Sequence, residues 1–555
     1  MNEYTRLADT IFPNIKETLE DIEKKYPPRN ISSSAEVTRF APSPTGFLHT
    51  GSLCTAMIAK KVAKDSKGIF YLRIEDTDQK REVAGSDEQV TKELIKFNIV
   101  PDEGYFSEVL EKGKYGPYKQ SKREYIYQVI VKHMISQGMA YPCFCSFEEL
   151  DAIRKIQEAK KERTGYYGEY ATCRNLTPGE AISRVQAGIP YVIRFKSKGN
   201  HMEHFAIHDE VKGDLNLSQN DMDIVLLKSD GLPTYHFAHL VDDHFMHTTI
   251  VIRGEEWLAS LPIHIELFDT LGFKRVKYAH LPVIMKIDET GKKRKLSKRK
   301  DPEAAVSFFL EAGYPVEALM DYLLTIANSN YEQWMLANPG VSSDEFKFSF
   351  AHTASDGALF DLDKIKNISK DNLARKSGEQ LTEYAYKWSK EYSKDLKEII
   401  DRDYNYFVKI MSIEKDKENP RKDYENYGEI FDKVKFFYDD YYEEIYNKGL
   451  DLRSDFSHEL IKKVIANFIE YSDMKLKEED WFEVCKENAK QIGFAPNKKE
   501  LKNNPDIYKY MIADYMEIIR VIITGRKNSP NLYYCLNIIG LPRILERLEK
   551  VAGNL

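Results

Sequence analysis

Cysteine is scarce, with six in 555 residues. That is too few for a disulfide framework and points to a reducing, cytoplasmic setting. Long apolar runs are also missing. No window reaches about 18 uninterrupted apolar residues, and the opening MNEYTRLADTIFPNIKETLEDIEKKYPPRN holds no apolar stretch of signal-peptide length. Secretion, membrane spanning and membrane contact are therefore not expected. A positive balance is absent too: the formal net charge is -7, which rules out a uniformly basic nucleic-acid coat but leaves room for a local cationic stripe. Internal repeats and low-complexity linkers are not found.

What is present is an ordinary globular composition, 42% hydrophobic and 30% charged, in a chain long enough for three or four domains. Leu7, Ile11, Ile15, Leu19 and Ile22 recur at helical spacing and stop before Pro27-Pro28, which predicts a helical N-terminal extension over 1–35. From Glu36 short apolar runs, Gly-rich turns and helical patterns alternate, as in a parallel α/β unit. Two such stretches, 36–114 and 223–280, read as halves of one Rossmann-like nucleotide-binding domain, with an α+β insertion over 115–222. A segment over 281–358 carries a lysine-rich loop. Beyond 359 Gly and Pro thin out, and 359–555 reads as all-α, with IEKDKENPRKDYENYGE as an exposed loop and LPRILERLEKVAGNL as an amphipathic end helix.

The strongest chemical signal is RFAPSPTGFLHTGSL, residues 39–53. Two prolines and a glycine bend the chain after a strand, so that His49 and Gly51 open the next helix, where backbone N–H groups and the helix dipole favour a phosphate. About 245 residues later comes GKKRKLSKRKD. A lone His-Gly turn is more often structural, and a lysine run is more often a solvated face. Together they supply a phosphate-binding turn and a cationic loop, the set that phosphoryl-centred chemistry needs. Cys143 and Cys145, with Cys173 28 positions further on, make three quarters of a zinc site or else three buried thiols. Cys54, Cys485 and Cys535 fall in apolar helical patterns and are expected in the core.

HTGS resembles the HIGH signature, and Lys295–Arg299 (KLSKR) resembles the KMSKS signature, of class I aminoacyl-tRNA synthetases. RFAPSPTG, RIEDTD, KSDGLPTYH and VIRGEEW, in this order from Thr38 to Leu359, resemble the bacterial glutamyl-tRNA synthetases. The resemblance implies a glutamate pocket of Arg39, Ala41, Ser43, Glu75, Tyr235, His239 and Arg253, although bacterial members often carry asparagine where His239 stands. The residue chemistry agrees, since two arginines and one carboxylate match two carboxylates and an ammonium. For Glu75 and Asp76 the plainer reading is a buried partner of Arg73. ATP with Mg²⁺ is implied at His49, Gly51, Ser52, Glu256, Trp257 and the backbone of Leu296. Lys295 and Lys298 are implied near the phosphates, Lys298 being the foremost catalytic candidate.

The same resemblance implies a tyrosine, Tyr170 or Tyr167, as a fourth zinc ligand. It also implies acceptor-end contact by the insertion through Lys119, Lys122 and Arg123, stem contact by 281–358, and anticodon reading by the helical half, with Arg375 as candidate. Whether tRNA(Gln) is charged beside tRNA(Glu) stays open. A monomer is expected. Glutaminyl and archaeal-type enzymes are disfavoured by Ala41-Pro42-Ser43 and by the helical C-terminal half. An inactive tRNA-binding paralogue is disfavoured because His49, Gly51 and Lys298 are all kept.

Overall fold

A computed structural model describes residues 2–297, 299–471 and 475–555. These divide into two compact units, Met1–Phe309 with Leu319–Asp361, and Leu310–Ala318 with Leu362–Leu555.

The first unit opens with α1 (Glu3–Ile11) and α2 (Leu19–Lys25), two helices where the spacing suggested one. Pro13 accounts for the break, since it cannot donate to a preceding turn. Thr18 then starts the second helix through a reciprocal bond pair with Asp21. Leu7, Ile15, Ile22 and Tyr26 of this extension are buried. Arg29 pairs with Glu103 at 3.0 Å, Asp9 with Lys132 at 2.7 Å and Glu23 with His244 at 2.8 Å, so the extension is tied to elements far along the chain.

The first sheet runs β1 (Val37–Phe40), β2 (Ile69–Leu72), β3 (Glu103–Ser107), β4 (Leu110–Lys112), in that spatial order. The first three strands are parallel and the last antiparallel. The crossovers are α3 (Thr50–Asp65) and α4 (Ser86–Lys96). All four residues of β1 are buried, as expected for a strand covered on both faces. At Gly104, with φ +127°, a Cβ would come within 2.3 Å of the Leu72 carbonyl oxygen, so β3 can lie against β2 only because this position is glycine.

Next come α5 (Glu124–Ser136), β5 (Ala140–Cys143), α6 (Phe147–Lys160), α7 (Pro178–Gln186), β6 (Val192–Phe195), β7 (His204–Asp209), β8 (Gly213–Ser218) and β9 (Val225–Leu227). The second α/β stretch follows as α8 (Tyr235–Phe245), β10 (Ile250–Gly254), α9 (Leu261–Leu271) and β11 (Lys277–Leu281). Strand pairing crosses the boundaries drawn from sequence. The hairpin β7–β8, assigned to the insertion, extends the later sheet in the order β10-β11-β7-β8, while β9 closes the insertion's sheet β5-β6-β9. Buried Asp209 locks the hairpin there, accepting from the His280 backbone N–H at 3.2 Å. The two mixed sheets meet where the Thr249 N–H donates to the Val37 carbonyl at 3.0 Å and the Val37 N–H to Thr249 Oγ1 at 2.8 Å. The lysine-rich segment forms a hairpin, β12 (Met285–Ile287) with β13 (Lys293–Lys295).

The second unit is helical around a core that includes Leu381, Ile400, Phe437, Ile465 and Ile519. The helical spacing of EQLTEYAYKWSKEYSKDLKEIIDRDYNYFVKIM, residues 379–411, resolves into three helices, Gly378–Tyr392, Lys394–Arg402 and Tyr404–Met411, broken where Ser393 and Asp403 each cap the helix that follows. The charged stretch after Met411 is pinned rather than loose, because Ile413, Tyr424 and Tyr427 reach the core. A pair of two-residue strands, Phe494–Ala495 and Tyr510–Met511, is the one departure from all-α among the described residues of this unit.

Candidate active site

β1 ends at Phe40, and the chain turns through Ala41–Leu48 before α3 begins. His49 is the N-cap of α3, and its Nδ1 accepts from the Gly51 N–H at 2.9 Å. In the neutral ring the proton is therefore on Nε2, which makes the outer nitrogen a donor. A Cβ on residue 51 would stand 3.3 Å from that Nδ1, so glycine is what allows the imidazole to fold back over the helix start. The turn is stitched to residues just beyond the lysine-rich loop. The Thr50 hydroxyl donates to the Glu303 carbonyl at 2.8 Å, the Val306 N–H donates to the Leu48 carbonyl at 3.2 Å, and His49 bridges to Ala305.

A cavity of about 1130 Å³ opens over this turn. Of the residues singled out by sequence, it is lined by Arg39, Ala41, Ser43, His49, Gly51 and Ser52 from the first half, with Glu75 after β2. Tyr235, Arg253, Glu256, Trp257 and Lys295 complete the set. Strand ends and helix starts of two sheets thus converge on one hollow, as α/β folds place their ligands.

Its charges are specifically held. Arg39, buried, donates to the Ile252 carbonyl at 3.3 Å and faces Asp243 at 3.5 Å. Fully buried Arg73 donates to Asp243 at 2.7 Å and Glu75 at 3.0 Å. Burial pushes the Asp243 carboxyl up, but the Arg73 and Arg39 guanidiniums outweigh it and hold it well below the usual carboxylate range. Glu75 is raised instead, because burial outweighs the same two arginines. Glu75 is thus both the partner of Arg73 and a cavity residue. Asp76 takes a different role and accepts from the Ser121 N–H at 2.8 Å.

Arg253 donates to Tyr235 Oη at 3.1 Å, His280 Nε2 at 3.0 Å, His264 Nδ1 at 3.3 Å and the Trp257 carbonyl at 3.3 Å. The Tyr235 and Trp257 rings lie 4.3 Å apart, an aromatic wall beside the guanidinium. At the mouth, Lys295 Nζ reaches Glu256 at 3.1 Å, both side chains being about half exposed. Behind the loop, Asp301 takes both Arg294 nitrogens, at 2.6 and 2.7 Å, and the Ser297 N–H at 2.9 Å. Arg294 holds the Asp301 carboxyl well below its ordinary range.

Several expected site residues are placed elsewhere. His239 is fully buried behind the pocket, with Nδ1 on Asp243 at 2.8 Å and Nε2 on Tyr278 Oη at 3.2 Å, so it supports the wall and does not line it. Leu296 buries its side chain and gives its N–H to the Ile284 carbonyl at 3.0 Å. Lys298 lies outside the described residues. Arg123 is buried, with Nε on Asp242 at 2.6 Å, and is an internal strut where a phosphate contact was expected. Lys119 is ringed by Asp87 at 2.9 Å, Glu108 at 3.4 Å, Glu82 at 3.8 Å and Asp76 at 3.9 Å. Both corrections have one cause: Lys119 and Arg123, on either side of the exposed Lys122, are met by acidic residues that the fold brings from elsewhere in the chain. Lys122, paired with Glu108 at 3.0 Å, and Arg375 are exposed.

The three cysteines do converge, with sulfurs within 4.8 Å of one another. Tyr170 and Tyr167 are not with them, since their hydroxyls donate to Glu162 at 2.6 Å and to the Arg163 carbonyl at 2.7 Å. Tyr166 is: its Oη lies 3.4 Å from Cys143 Sγ and 3.3 Å from Cys145 Sγ. Sequence reasoning missed Tyr166 and the histidines behind Arg253, because no local pattern marks them, and it passed over Lys228 on the cavity wall although that residue opens the KSDGLPTYH motif.

Residues 36–366 match the family described as class I tRNA synthetases (E and Q), catalytic domain, and 380–552 match an anticodon binding domain. The chain is 44% identical to a glutamate–tRNA ligase of Clostridium beijerinckii, over 99% of each chain. It is 44% identical to that of Acetivibrio thermocellus, over 99% of this chain and 100% of the other. A crystal structure of a glutamate tRNA ligase from Elizabethkingia meningosepticum, in complex with its amino acid, is similar with a TM-score of 0.74 at 28% identity, covering 94% of this chain and 100% of that one. With the two signatures on one cavity, matched domains on both sides of residue 370 and full-length identity to its relatives, the chain belongs to the glutamate–tRNA ligase family of class I aminoacyl-tRNA synthetases.

Proposed function

We propose that this chain joins L-glutamate to the 3′ end of tRNA(Glu), using ATP and Mg²⁺ and releasing AMP and pyrophosphate. The observation that carries the reading is the single cavity in which the His49–Gly51 helix start shares walls with Arg39, Glu75, Tyr235 and Arg253. Arg39 and Arg253 receive the two substrate carboxylates and Glu75 the ammonium, a charge match on side chains that are themselves buried. The α-carboxylate attacks the α-phosphorus of ATP in line, forming glutamyl-adenylate as pyrophosphate leaves. His49 Nε2–H, Lys295 and Lys298 meet the charge developing on the phosphates, and Mg²⁺ enters with ATP. The 2′-hydroxyl of the terminal adenosine then attacks the adenylate. No protein nucleophile is needed, so catalysis is positioning and electrostatics. Pyrophosphate exchange with glutamate, ATP and tRNA tests the reading; no exchange by a folded, tRNA-binding protein overturns it.

Domain roles follow the same reading, with acceptor-end contact by the insertion, through Lys122, and anticodon contact by the helical unit, through Arg375. The protein is taken to be a cytoplasmic monomer. Charging purified tRNA(Glu) and tRNA(Gln) side by side tells a discriminating enzyme from one that uses both. Cys143, Cys145, Cys173 and the Tyr166 hydroxyl form a sulfur-rich donor set that fits a tetrahedral zinc ion, which would cross-link the strand end at Cys143 to the loop at Cys173. Metal analysis of the purified protein before and after chelation tests this, with about one zinc per chain expected.

A further inference from the structure

Arg253 is the one arginine of the pocket held entirely by neutral groups. Arg39 faces Asp243, and Arg73 pairs with Asp243 and Glu75. Around Arg253, which is buried, the acceptors are a phenol, a backbone carbonyl and two imidazoles, and among the described residues no carboxylate forms an ion pair with it. A buried guanidinium without a counter-ion is costly unless something occupies the place.

The protons of those imidazoles can be assigned. A guanidinium only donates, so His280 Nε2 and His264 Nδ1 must both be bare. The ring proton of His280 is then on Nδ1, where Asp209 accepts it at 2.6 Å. The ring proton of His264 is on Nε2, facing His236 Nδ1 at 3.1 Å. Both rings are thereby fixed as neutral acceptors, and burial keeps both from taking a second proton. Had either place been filled by an aspartate or glutamate, the same hydrogen bond would form, but the charge of Arg253 would already be neutralised.

We infer that His280 and His264, oriented by Asp209 and His236, are positioning residues whose neutrality reserves the charge of Arg253 for a substrate carboxylate and so sets the preference for glutamate over glutamine as amino acid. The inference rests on the proposed glutamate pocket and deepens it. His280→Gln keeps an acceptor at the place of Nε2, and His280→Glu keeps the same shape but adds the charge. Amino-acid-dependent pyrophosphate exchange of the full chain with tRNA present is the assay.

We expect His280→Glu to raise KM for glutamate by about tenfold to a hundredfold, the weight of one charge-assisted bond. KM for ATP is expected to hold and KM for glutamine to rise far less. His280→Gln should recover most of the lost glutamate affinity. Equal effects of the two variants on glutamate, or a parallel rise in KM for ATP, would overturn the inference. If His280→Glu does not fold, the isosteric pair His264→Asn and His264→Asp decides in the same way. Arg253→Gln separates the two levels. No change in its KM for glutamate sinks the pocket itself, whereas a large rise with indistinguishable His280 variants sinks only the role of the histidines.

Discussion

At the scale of single residues, what a side chain does here is decided by partners distant in sequence. Arg123 sits in a cluster of Lys and Arg that reads as a phosphate contact, yet Asp242, 119 positions away, takes its guanidinium at 2.6 Å inside the core. Arg123→Ala should therefore lower unfolding stability by about 3–5 kcal/mol, because it removes the nearest counter-charge of buried Asp242 and leaves it Gln120, Tyr127 and the more distant Arg73. Urea denaturation measures this, and tRNA affinity of the folded variant should stay as it was. Gly51 is different, being a residue whose requirement is local. Gly51→Ala places a methyl 3.3 Å from the capping imidazole, which should displace His49 and slow adenylate formation on the order of tenfold or more, with a smaller effect on KM for glutamate. Local demands of this kind were legible in the sequence: the N-cap, the glycine beside it and the motif prolines all act within a few positions. Tyr166, His264 and His280 were not, since nothing near them in sequence marks what they meet across the fold.

At the scale of elements, α8 shows how much one helix carries. Tyr235, His239 and Asp243, four residues apart, present one face to the arginine cluster. Burial holds His236 down at about 4 and His239 at about 3, against an ordinary value of 6.5. In that interval the unfolded chain binds protons that the folded chain refuses. Stability is thus full above about pH 6.5 and falls as pH is lowered towards about 4. The urea midpoint should be lower at about pH 5 than at about pH 7.5, and His236→Asn should narrow the gap. Element types were legible from periodicity, since β1 and α3 follow their patterns. Strand partners were not: β7 and β8 carry no mark that they extend the sheet of β10 and β11. Helix breaks at Pro13, Ser393 and Asp403 were hidden inside patterns that keep the same apolar phase across the break.

At the scale of the molecule, the N-terminal extension changes meaning. The sequence offered it no role, whereas the structure ties it to Glu103, Lys132 and His244 and buries six of its apolar residues, Leu7, Ala8, Ile15, Ile22, Tyr26 and Ala35. Deleting residues 1–35 should lower the melting temperature by roughly 5–10 °C, the scale of a few kcal/mol in a domain of this size, as read by calorimetry. An unchanged melting temperature would show the extension to be only appended. The stitch between Leu48–Thr50 and Glu303–Val306 reaches furthest in its consequences. Because these hydrogen bonds join the first signature to the segment just beyond the second, the two segments form a single heritable unit despite lying about 250 positions apart. A lesion at Ala304 or Ala305 that cripples growth should be rescued by second-site changes near Leu48, so a suppressor screen would trace the stitch without any structure at all.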